Sequence, residues 1–330
     1  MRQMKRLGGR LAIAALVAVS LGSIAGAAEP YPTRPITMVV PYPAAGLFDV
    51  LARVLAEHMR GTLGQSVVIE NIGGASGSIA TGRLARAAAD GYTIGIGSGD
   101  QFVINAAIYP LQYDVVKDFE PVALVMNGPL IIVGKTALPA KNLKELVAWL
   151  KANHSTVSFA HNGVGGTLHL CGLALQKAAD ASWPFIPYRG AAPALQDVIG
   201  GRVDLLCPSP ASSLAMVHGG MIRGYAITSG TRLAAAPEIP TVEEAGFPDV
   251  QISVWGGVFA PKGTPSDVVG KVNAAVVEAL ADPAVRKKFA ELGQDIFPRD
   301  RQTAEALGAL QKAEIAKWWP IIKAANVKAE

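Results

Sequence analysis

The chain has 330 residues, of which 50% are apolar and 17% charged, enough apolar material for more than one hydrophobic core. Its 30 basic and 26 acidic residues give a formal net charge of +4. Four of those bases and no acids lie in residues 1–27, so the rest is balanced and gives no reason to expect a nucleic-acid partner.

The first 27 residues have the pattern of an export signal. A basic start from Arg2 to Arg10 precedes an apolar run, Leu11 to Leu21, that is short for a membrane span. Ala25-Gly26-Ala27 then supplies small residues of the kind that signal peptidase recognises. We predict a signal peptide over 1–27, a mature chain from about Ala28 and a periplasmic location. A retained membrane anchor is the alternative.

The two cysteines, Cys171 and Cys207, would share an oxidising compartment if the chain is exported. A disulfide between them is one possibility and two buried thiols are the other. The sequence leaves both open, because it does not show whether their Cα atoms lie close enough for a bond.

Strand and helix patterns alternate over the first third of the mature chain. Short runs rich in β-branched residues predict buried strands, and apolar residues at helical spacing predict helices between them. The predicted strands are 36–41, 66–70 and 92–96, and the predicted helices are 49–59 and 79–88. This alternation is typical of a parallel, doubly wound sheet with right-handed crossovers.

The rest of the chain predicts a second lobe and a return to the first. Residues 121–135 contain two β-rich runs, interrupted at Asn127-Gly128-Pro129, which suits a chain passing between lobes. Strands at 157–160, 185–188, 203–206 and 222–228 and helices at 143–151, 167–178 and 193–199 follow. Residues 252–261 are the predicted return crossing, and 265–280, 283–292 and 304–325 are predicted helices. We therefore assign 28–127 and 253–330 to lobe 1, and 128–252 to lobe 2.

Four turns contain glycine and lie where predicted strands lead into helices. They are 43–49, 73–78, 97–101 and 163–167. Open α/β sheets bind ligands beyond the carboxyl ends of their strands, where helix N-termini present free N–H groups to anions. Any one such turn is explained equally well by ordinary turn formation. Together they predict a cleft that binds an anion without a dedicated arginine.

Many ordered motifs across the mature chain resemble the Bug family, the periplasmic solute receptors of tripartite tricarboxylate transporters. The matching stretches are Tyr31-Pro32-Thr33-Arg34-Pro35-Ile36, Pro41-Tyr42-Pro43, Asp49-Val50-Leu51-Ala52-Arg53, Leu63-Gly64-Gln65, Asp90-Gly91-Tyr92-Thr93, residues 113–119, Pro187-Tyr188-Arg189-Gly190, Ala192-Pro193-Ala194-Leu195, Gly200-Gly201-Arg202-Val203-Asp204 and residues 240–246. The resemblance implies a type II periplasmic-binding fold, α/β in class, with two doubly wound lobes joined by hinge strands. It also implies a small carboxylate or amino-acid ligand, and membrane permease subunits as partners.

The resemblance also implies where the ligand lies. One carboxylate is expected at backbone amides and water in the first turn, 43–49, and the distal end of the ligand at Val164 to Thr167. The predicted ligand-binding residues are Tyr42, Ala44, Ala45, Gly46, Leu47, Phe48, Asp49, Ser98, Gln101, Val164, Gly165, Gly166, Thr167 and Ser209.

Several residues depart from the family pattern in these turns. Ala45 replaces a glycine, and Leu47-Phe48 brings two bulky apolar side chains. Val164 and Gly166 stand where polar residues are common, Pro208 where aspartate is common, and Gln101 and Phe102 where threonine and histidine are usual. Apolar lining with a few donors suits an organic anion with a hydrophobic body. We expect an aromatic or apolar mono- or dicarboxylate rather than citrate, unless Phe48 turns into the core.

No motif predicts catalysis, a metal or a cofactor. His154, His161 and His169 lack the paired spacing of a metal site, and we expect His169 to pack or to hydrogen-bond within its helix. Residues 74–78 resemble a nucleophile elbow but lack its second glycine, and no serine has a supporting histidine and acid. We expect a monomeric receptor. A sensory receptor for a membrane signalling protein and a periplasmic hydrolase are the alternatives.

Two further residues have two interpretations each. Asp49 either orders the amides of the first turn or contacts the ligand, and as an acid in the first turn of a helix it is favourable in both cases. Trp255 lies beside Gly256 and Gly257 and either lines the cleft or packs in the core. Trp318 and Trp319 are expected to pack.

Overall fold

The computed structural model describes residues 31–161, 163–188 and 190–327. The predicted signal peptide, 1–27, lies outside these residues. None of the helices in the described ranges is long and apolar enough to cross a membrane.

The first sheet has six strands in the order β11-β4-β10-β3-β1-β2. They are β1 (Ile36–Val40), β2 (Val67–Asn71), β3 (Thr93–Ser98), β4 (Phe119–Pro129), β10 (Ser253–Pro261) and β11 (Asp295–Ile296). Strands β1, β2 and β3 are parallel, as predicted from their alternation with helices. Strand β10 is antiparallel to both β3 and β4, and β11 is antiparallel to β4, so the sheet as a whole is mixed.

The second sheet has five strands in the order β7-β6-β8-β5-β9. They are β5 (Ile131–Lys135), β6 (Phe159–His161), β7 (Phe185–Pro187), β8 (Leu205–Leu206) and β9 (Ile222–Ile227). Strand β6 is parallel to β7 and β8, whereas β5 is antiparallel to β8 and β9.

Helices cover both sheets. They are α1 (Leu47–Leu63), α2 (Ser78–Ala85), α3 (Asn105–Ile108), α4 (Leu143–Asn153), α5 (Thr167–Ala179), α6 (Ala191–Ile199), α7 (Pro210–His218), α8 (Ser266–Ala281), α9 (Pro283–Glu291) and α10 (Ala304–Ala324). A π-helical turn, Asp100–Ile104, runs directly into α3. In α1, Leu51, Leu55 and Met59 recur at helical spacing and are fully buried. Burying each such side chain contributes about 1.5–3 kcal/mol, which fixes the first turn of α1 against the sheet.

The chain crosses between the sheets twice, at Leu130 and at Ile252. Strands β4 and β10 pair along their whole length, from Pro129 with Ser253 to Phe119 with Pro261. The buried Thr228 hydroxyl joins the two crossings: it accepts from Leu130 N at 2.8 Å and donates to Ile252 O at 2.6 Å. The lobe ranges 28–127, 128–252 and 253–330 stay predictions.

One prediction about these elements was wrong in detail, and two helices, α3 and α7, were not predicted. Asn127-Gly128-Pro129 does not interrupt the strand, because Asn127 and Gly128 pair with Trp255 and Val254 inside the first sheet. The interruption falls at Leu130. Helix α7 was not predicted, because Ala211, Ser212 and Ser213 after Pro210 give it no clear apolar stripe.

The structure contains a disulfide between Cys171 and Cys207, the first of the two alternatives left open by the sequence. It joins helix α5 to the segment after β8, and the two Cα atoms lie 6.4 Å apart. Because α5 begins at Thr167, the disulfide holds the helix whose N-terminus follows the 163–167 turn.

Candidate functional site

A cavity of about 640 Å³ lies where the carboxyl ends of strands from both sheets meet. Its walls come from the turns after β1, β2, β3 and β6, the four regions that the glycine pattern singled out. The lining residues are Pro41, Tyr42, Pro43, Ala44, Ala45, Gly46, Leu47, Phe48, Gly73, Gly74, Ser76, Gly77, Asp100, Gln101, Asn105, Gly163, Val164, Gly165, Gly166, Thr167, Leu168 and Val254.

The first wall is the N-terminus of α1. Gly46 is its N-cap residue, and no side chain caps the helix. The backbone N–H groups of Leu47 and Phe48 form no hydrogen bond with the described residues, whereas Val50 N already donates to Gly46 O at 3.0 Å. Free N–H groups and the partial positive charge of a helix N-terminus attract anions.

The opposite wall is the N-terminus of α5, where the same arrangement recurs. Gly166 is the N-cap residue, again without a capping side chain. Leu170 N is the first amide of the helix bonded back to the cap, at 3.0 Å from Gly166 O. Thr167 and Leu168 line the cavity. Two helices, 17 and 13 residues long, therefore point their uncapped N-termini at one cavity.

Two buried histidines order the 163–167 turn. Gly165 N donates to His169 Nδ1 at 3.0 Å, and Gly163 N donates to His161 Nδ1 at 3.2 Å. The two rings lie 4.8 Å apart. Burial, and then the neighbouring His161, lower the pKa of His169 to about 4. His169 is therefore neutral near pH 7 and its Nδ1 is free to accept, as expected of a hydrogen-bonding residue.

Asp49 orders the first turn and does not line the cavity. Its carboxylate accepts from Ala45 N at 2.7 Å and forms an ion pair with Arg53 at 2.9 Å. The hydrogen bond to Arg53 lowers the pKa of Asp49. Ala45 has φ 65°, a left-handed conformation that favours glycine, so this turn keeps its shape with a strained alanine.

Gln101 and Ser98 form a network behind the cavity wall. The Tyr42 hydroxyl donates to Gln101 Oε1 at 3.0 Å and lies 2.9 Å from Ser98 Oγ. Gln101 Nε2 and Asn105 Nδ2 both donate to Ser76 O, at 3.1 Å and 2.9 Å. The network ties the turns after β1, β2 and β3 to one another.

The apolar side chains of the lining include Leu47, Phe48, Val164, Leu168 and Val254. Phe48 is only 4% exposed and its ring stacks on Tyr42, with centroids 4.7 Å apart. Phe48 thus belongs to the core and reaches the cavity with a small part of its surface. Trp255, whose position was left open, is 2% exposed and packs in the core.

Among the residues that the structure describes, Asp100 is the one charged side chain in the cavity lining, and no described lysine, arginine or histidine lines it. It lies two residues after the end of β3, beyond Gly99. Burial raises the pKa of Asp100 to about 6, and an interaction with the Thr167 hydroxyl opposes part of this rise. Among the described residues Asp100 forms no ion pair.

Most of the predicted site residues meet in this cavity. Tyr42, the turn residues 44–48, Gln101 and the turn residues 164–167 line it. Ser98 lies behind the wall, and Asp49 beneath the turn. Ser209 is not among the lining residues and is the N-cap of α7. Which of these residues contact a ligand stays a prediction.

The predicted site residues did not include Asp100, Asn105 and Ser76, although Asp100 and Ser76 lie in two of the four predicted turns, 97–101 and 73–78. Asp100 follows a buried strand within a glycine-containing turn, a position at the carboxyl edge of the sheet where side chains reach ligands. That position could have identified it. Asn105 lies farther along the chain, and only the π-helical turn brings it to the cavity.

A model of one protein family matches residues 51–327, and its description is tripartite tricarboxylate transporter family receptor. Protein BugT of Bordetella pertussis is 36% identical over 304 residues, which cover 91% of this chain and 92% of BugT.

Several solved structures with the same fold are more than 30% identical to this chain. The periplasmic binding protein BugD is 38% identical with a TM-score of 0.71, covering 91% of this chain and 100% of that one. MatC from Rhodopseudomonas palustris with bound malate is 34% identical with a TM-score of 0.72, covering 88% and 100%. A second R. palustris protein, with adipate, is 31% identical with a TM-score of 0.72, covering 91% and 100%.

Proposed function

The chain belongs to the tripartite tricarboxylate transporter receptor family, a family of solute-binding receptors and not of enzymes, and on that premise we propose that it binds a small organic carboxylate with an apolar body. The proposal places binding in the periplasm and delivery at a membrane permease of the tripartite type. The hydrolase alternative is therefore wrong.

One observation carries the proposal: two uncapped helix N-termini face a single cavity from opposite sheets. The free N–H groups of Leu47 and Phe48 supply donors for a carboxylate without a basic side chain. The first turn of α5 supplies a second set for the other end of the ligand. Binding both sets at once favours the closed arrangement of the lobes, because only that arrangement brings them together.

The apolar lining supports a ligand with a hydrophobic body. Leu47, Val164 and Val254 offer no hydrogen bonds from their side chains, so a strongly hydrated acid such as citrate, with three carboxylates and a hydroxyl, would lose water without replacement there. The relatives with malate and with adipate each hold a dicarboxylate, which fits two helix N-termini. The proposed ligand-contacting residues are the predicted ones that line the cavity, and Asp49 and Ser98 support them from behind.

The experiment is a thermal-shift screen of the mature chain against citrate, malate, adipate, aromatic acids and apolar amino acids. A ligand that binds only the folded state stabilises it by about 2.7 kcal/mol at a hundredfold excess over its Kd. We expect shifts with acids that have an apolar body and none with citrate. Shifts with citrate alone would contradict the apolar lining, and no shift with any carboxylate would contradict the function.

A charge variant tests the place of binding. Leu47→Glu puts a carboxylate in the first turn of α1, where the helix N-terminus favours it, so the fold is kept and the anion site is blocked. The control is Val68→Glu, the same change at a side chain that is 52% exposed and outside the cavity. Ligand binding should be lost in the first variant and kept in the second. Equal binding by both would place the ligand elsewhere.

The disulfide between Cys171 and Cys207 supports a periplasmic location, because disulfides persist in oxidising compartments. Uptake of the labelled ligand by cells that lack the receptor separates transport from sensing. We expect uptake to fall and to return with the full chain. Unchanged uptake with a lost transcriptional response to the ligand would favour the sensory alternative.

A further inference from the structure

Four consecutive residues at the cavity wall have a left-handed backbone. Their φ angles are 111° at Gly74, 46° at Ala75, 52° at Ser76 and 85° at Gly77. Glycine adopts such angles freely, whereas alanine and serine do so at a cost in free energy. For each of these two residues the cost corresponds to about a five- to thirtyfold preference for another conformation. Strained residues persist only where their surroundings hold them, and they cluster at ligand-binding sites.

Two side-chain amides hold this turn through one carbonyl group. Gln101 Nε2 and Asn105 Nδ2 both donate to Ser76 O, at 3.1 Å and 2.9 Å. Both side chains are buried, so water does not compete for these hydrogen bonds. A Cβ added at Gly77 would lie 2.8 Å from Gln101 Nε2, so the Gln101 side chain packs directly against the turn. The turn is therefore held from behind by the π-helical turn and by the first residue of α3.

The backbone partners of Gln101 fix the orientation of its amide. Gln101 Oε1 accepts from Ser98 N at 3.0 Å and from the Tyr42 hydroxyl at 3.0 Å. The backbone N–H of Ser98 requires an acceptor and the carbonyl of Ser76 requires a donor, so only one of the two amide orientations satisfies both. One side chain thus joins the turn after β2 to the end of β3 and to the turn after β1.

We propose that Gln101 is a positioning residue that, together with Asn105, holds the strained turn 74–77 in the shape that binds the ligand. This inference rests on the proposed function and explains how one wall of the cavity keeps its shape. All of the turn residues except Ala75 line the cavity, so relaxation of the turn would move part of the lining. Without the two amides only a fraction of the molecules would have the turn in its binding shape. The apparent Kd would rise by the inverse of that fraction.

The first variant, Gln101→Met, removes the amide and keeps a side chain of similar length. Titration calorimetry measures its Kd for adipate and for 3-phenylpropanoate. We expect Kd to rise at least tenfold, because a five- to thirtyfold preference for other conformations leaves the binding shape in about one molecule in ten. The matched control is Gln302→Met, at another buried glutamine whose Nε2 donates to a backbone carbonyl, Phe297 O at 2.6 Å. Gln302 does not line the cavity, and this variant should keep Kd within about twofold.

A glycine at position 75 separates positioning from direct contact with the ligand. Ala75 is exposed and is not among the lining residues, so Ala75→Gly relieves part of the strain without changing the lining. Alone it should leave Kd within about twofold, because the amides already hold the turn. Combined with Gln101→Met it should lower Kd at least threefold relative to Gln101→Met alone, because the turn then needs less support. A direct contact between Gln101 and the ligand, or a purely structural role of Gln101, predicts no such recovery.

Urea unfolding without ligand measures the same coupling between the two positions. Ala75→Gly should raise the midpoint of unfolding of the unsubstituted protein, because it relieves strain in the folded state. It should raise the midpoint less in Gln101→Met, where the turn has already relaxed. Circular dichroism checks the folding of each variant. If Gln101→Met does not fold, Asn105→Leu removes the other donor to Ser76 O, and the same comparisons with Ala75→Gly are made in that variant.

Two results would overturn the inference: Gln101→Met binds both acids as tightly as the unsubstituted protein, or Ala75→Gly recovers none of the lost affinity. The carboxylate function would then stand, and the positioning role of Gln101 would fall. If the unsubstituted protein binds no carboxylate at all, the proposed function itself is overturned. The coupling in urea unfolding then decides by itself whether Gln101 holds the turn, and equal midpoint shifts in both backgrounds would show that it does not.

Discussion

Protonation of His169 in the unfolded chain should lower the free energy of unfolding at mildly acidic pH. The buried Nδ1 of His169 accepts from Gly165 N at 3.0 Å and has a pKa of about 4, against 6.5 in the unfolded chain. Between these two pH values the unfolded state takes up a proton that the folded state does not. The free energy of unfolding therefore keeps its full value above pH 6.5 and decreases as the pH falls towards 4. This difference in pKa lowers the free energy of unfolding by about 3 kcal/mol below pH 4 and by about 2 kcal/mol at pH 5.

Urea unfolding at pH 7.5 and pH 5 measures this loss, and a variant separates His169 from the other titrating groups. His169→Asn places an acceptor oxygen near the Nδ1 position without a group that titrates in this range. We expect the variant to lose about 2 kcal/mol less than the unsubstituted protein between the two pH values. His154→Asn, at an exposed residue after α4, is the control and should follow the unsubstituted protein. The same pH loss in His169→Asn and in the unsubstituted protein would refute the reasoning.

Three further experiments, each with its own substitutions, test the turns and the disulfide. Ala45→Gly relieves a φ of 65° and should raise the free energy of urea unfolding by about 0.5–1 kcal/mol, and a decrease would show that the turn is unstrained. Replacing Cys171 and Cys207 by alanine opens a loop of 36 residues and should lower that free energy by about 4 kcal/mol; a loss below 1 kcal/mol would contradict the estimate. Gly165→Ala puts a Cβ 2.1 Å from Cδ1 of Ile108 in α3, at a φ of 76° that disfavours alanine, and should weaken ligand binding measured by calorimetry. Ile108→Ala in the same chain should restore part of the affinity, and no restoration would mean that the close approach is not limiting.

The helices, strands and turns that were predicted correctly could be recognised from short, continuous stretches of sequence. The apolar stripe of α1 and the strand before each glycine turn repeat within one element, so they could be predicted without knowing what packs against them. The same holds for the four turns that line the cavity, because a glycine between a strand and a helix marks a turn whichever element lies opposite. Where the pattern was weak, as in α7, the helix was missed.

Partners distant in sequence decided the rest. Asn127 and Gly128 look like a break, yet pairing with Trp255 and Val254, more than a hundred residues later, keeps them in a strand. The sequence allowed the Asp49 side chain to face either the ligand or the first turn. In the structure it faces the turn, because its carboxylate accepts a hydrogen bond from Ala45 N. The sequence allowed the Phe48 ring to fill the cavity. In the structure the ring stacks on Tyr42, and most of the Phe48 side chain is buried in the core.

The sequence by itself determined the family, the α/β fold and the four turns that meet at the cavity, because these follow from local periodicity and ordered motifs. Only the tertiary structure decided that Asp100 lies in the cavity, without a basic partner among the described residues, and that Ser209 lies outside it. The physical reason is that the charges and dipoles around a cavity come from several walls, which distant parts of the chain contribute. No single stretch of sequence contains all of these groups.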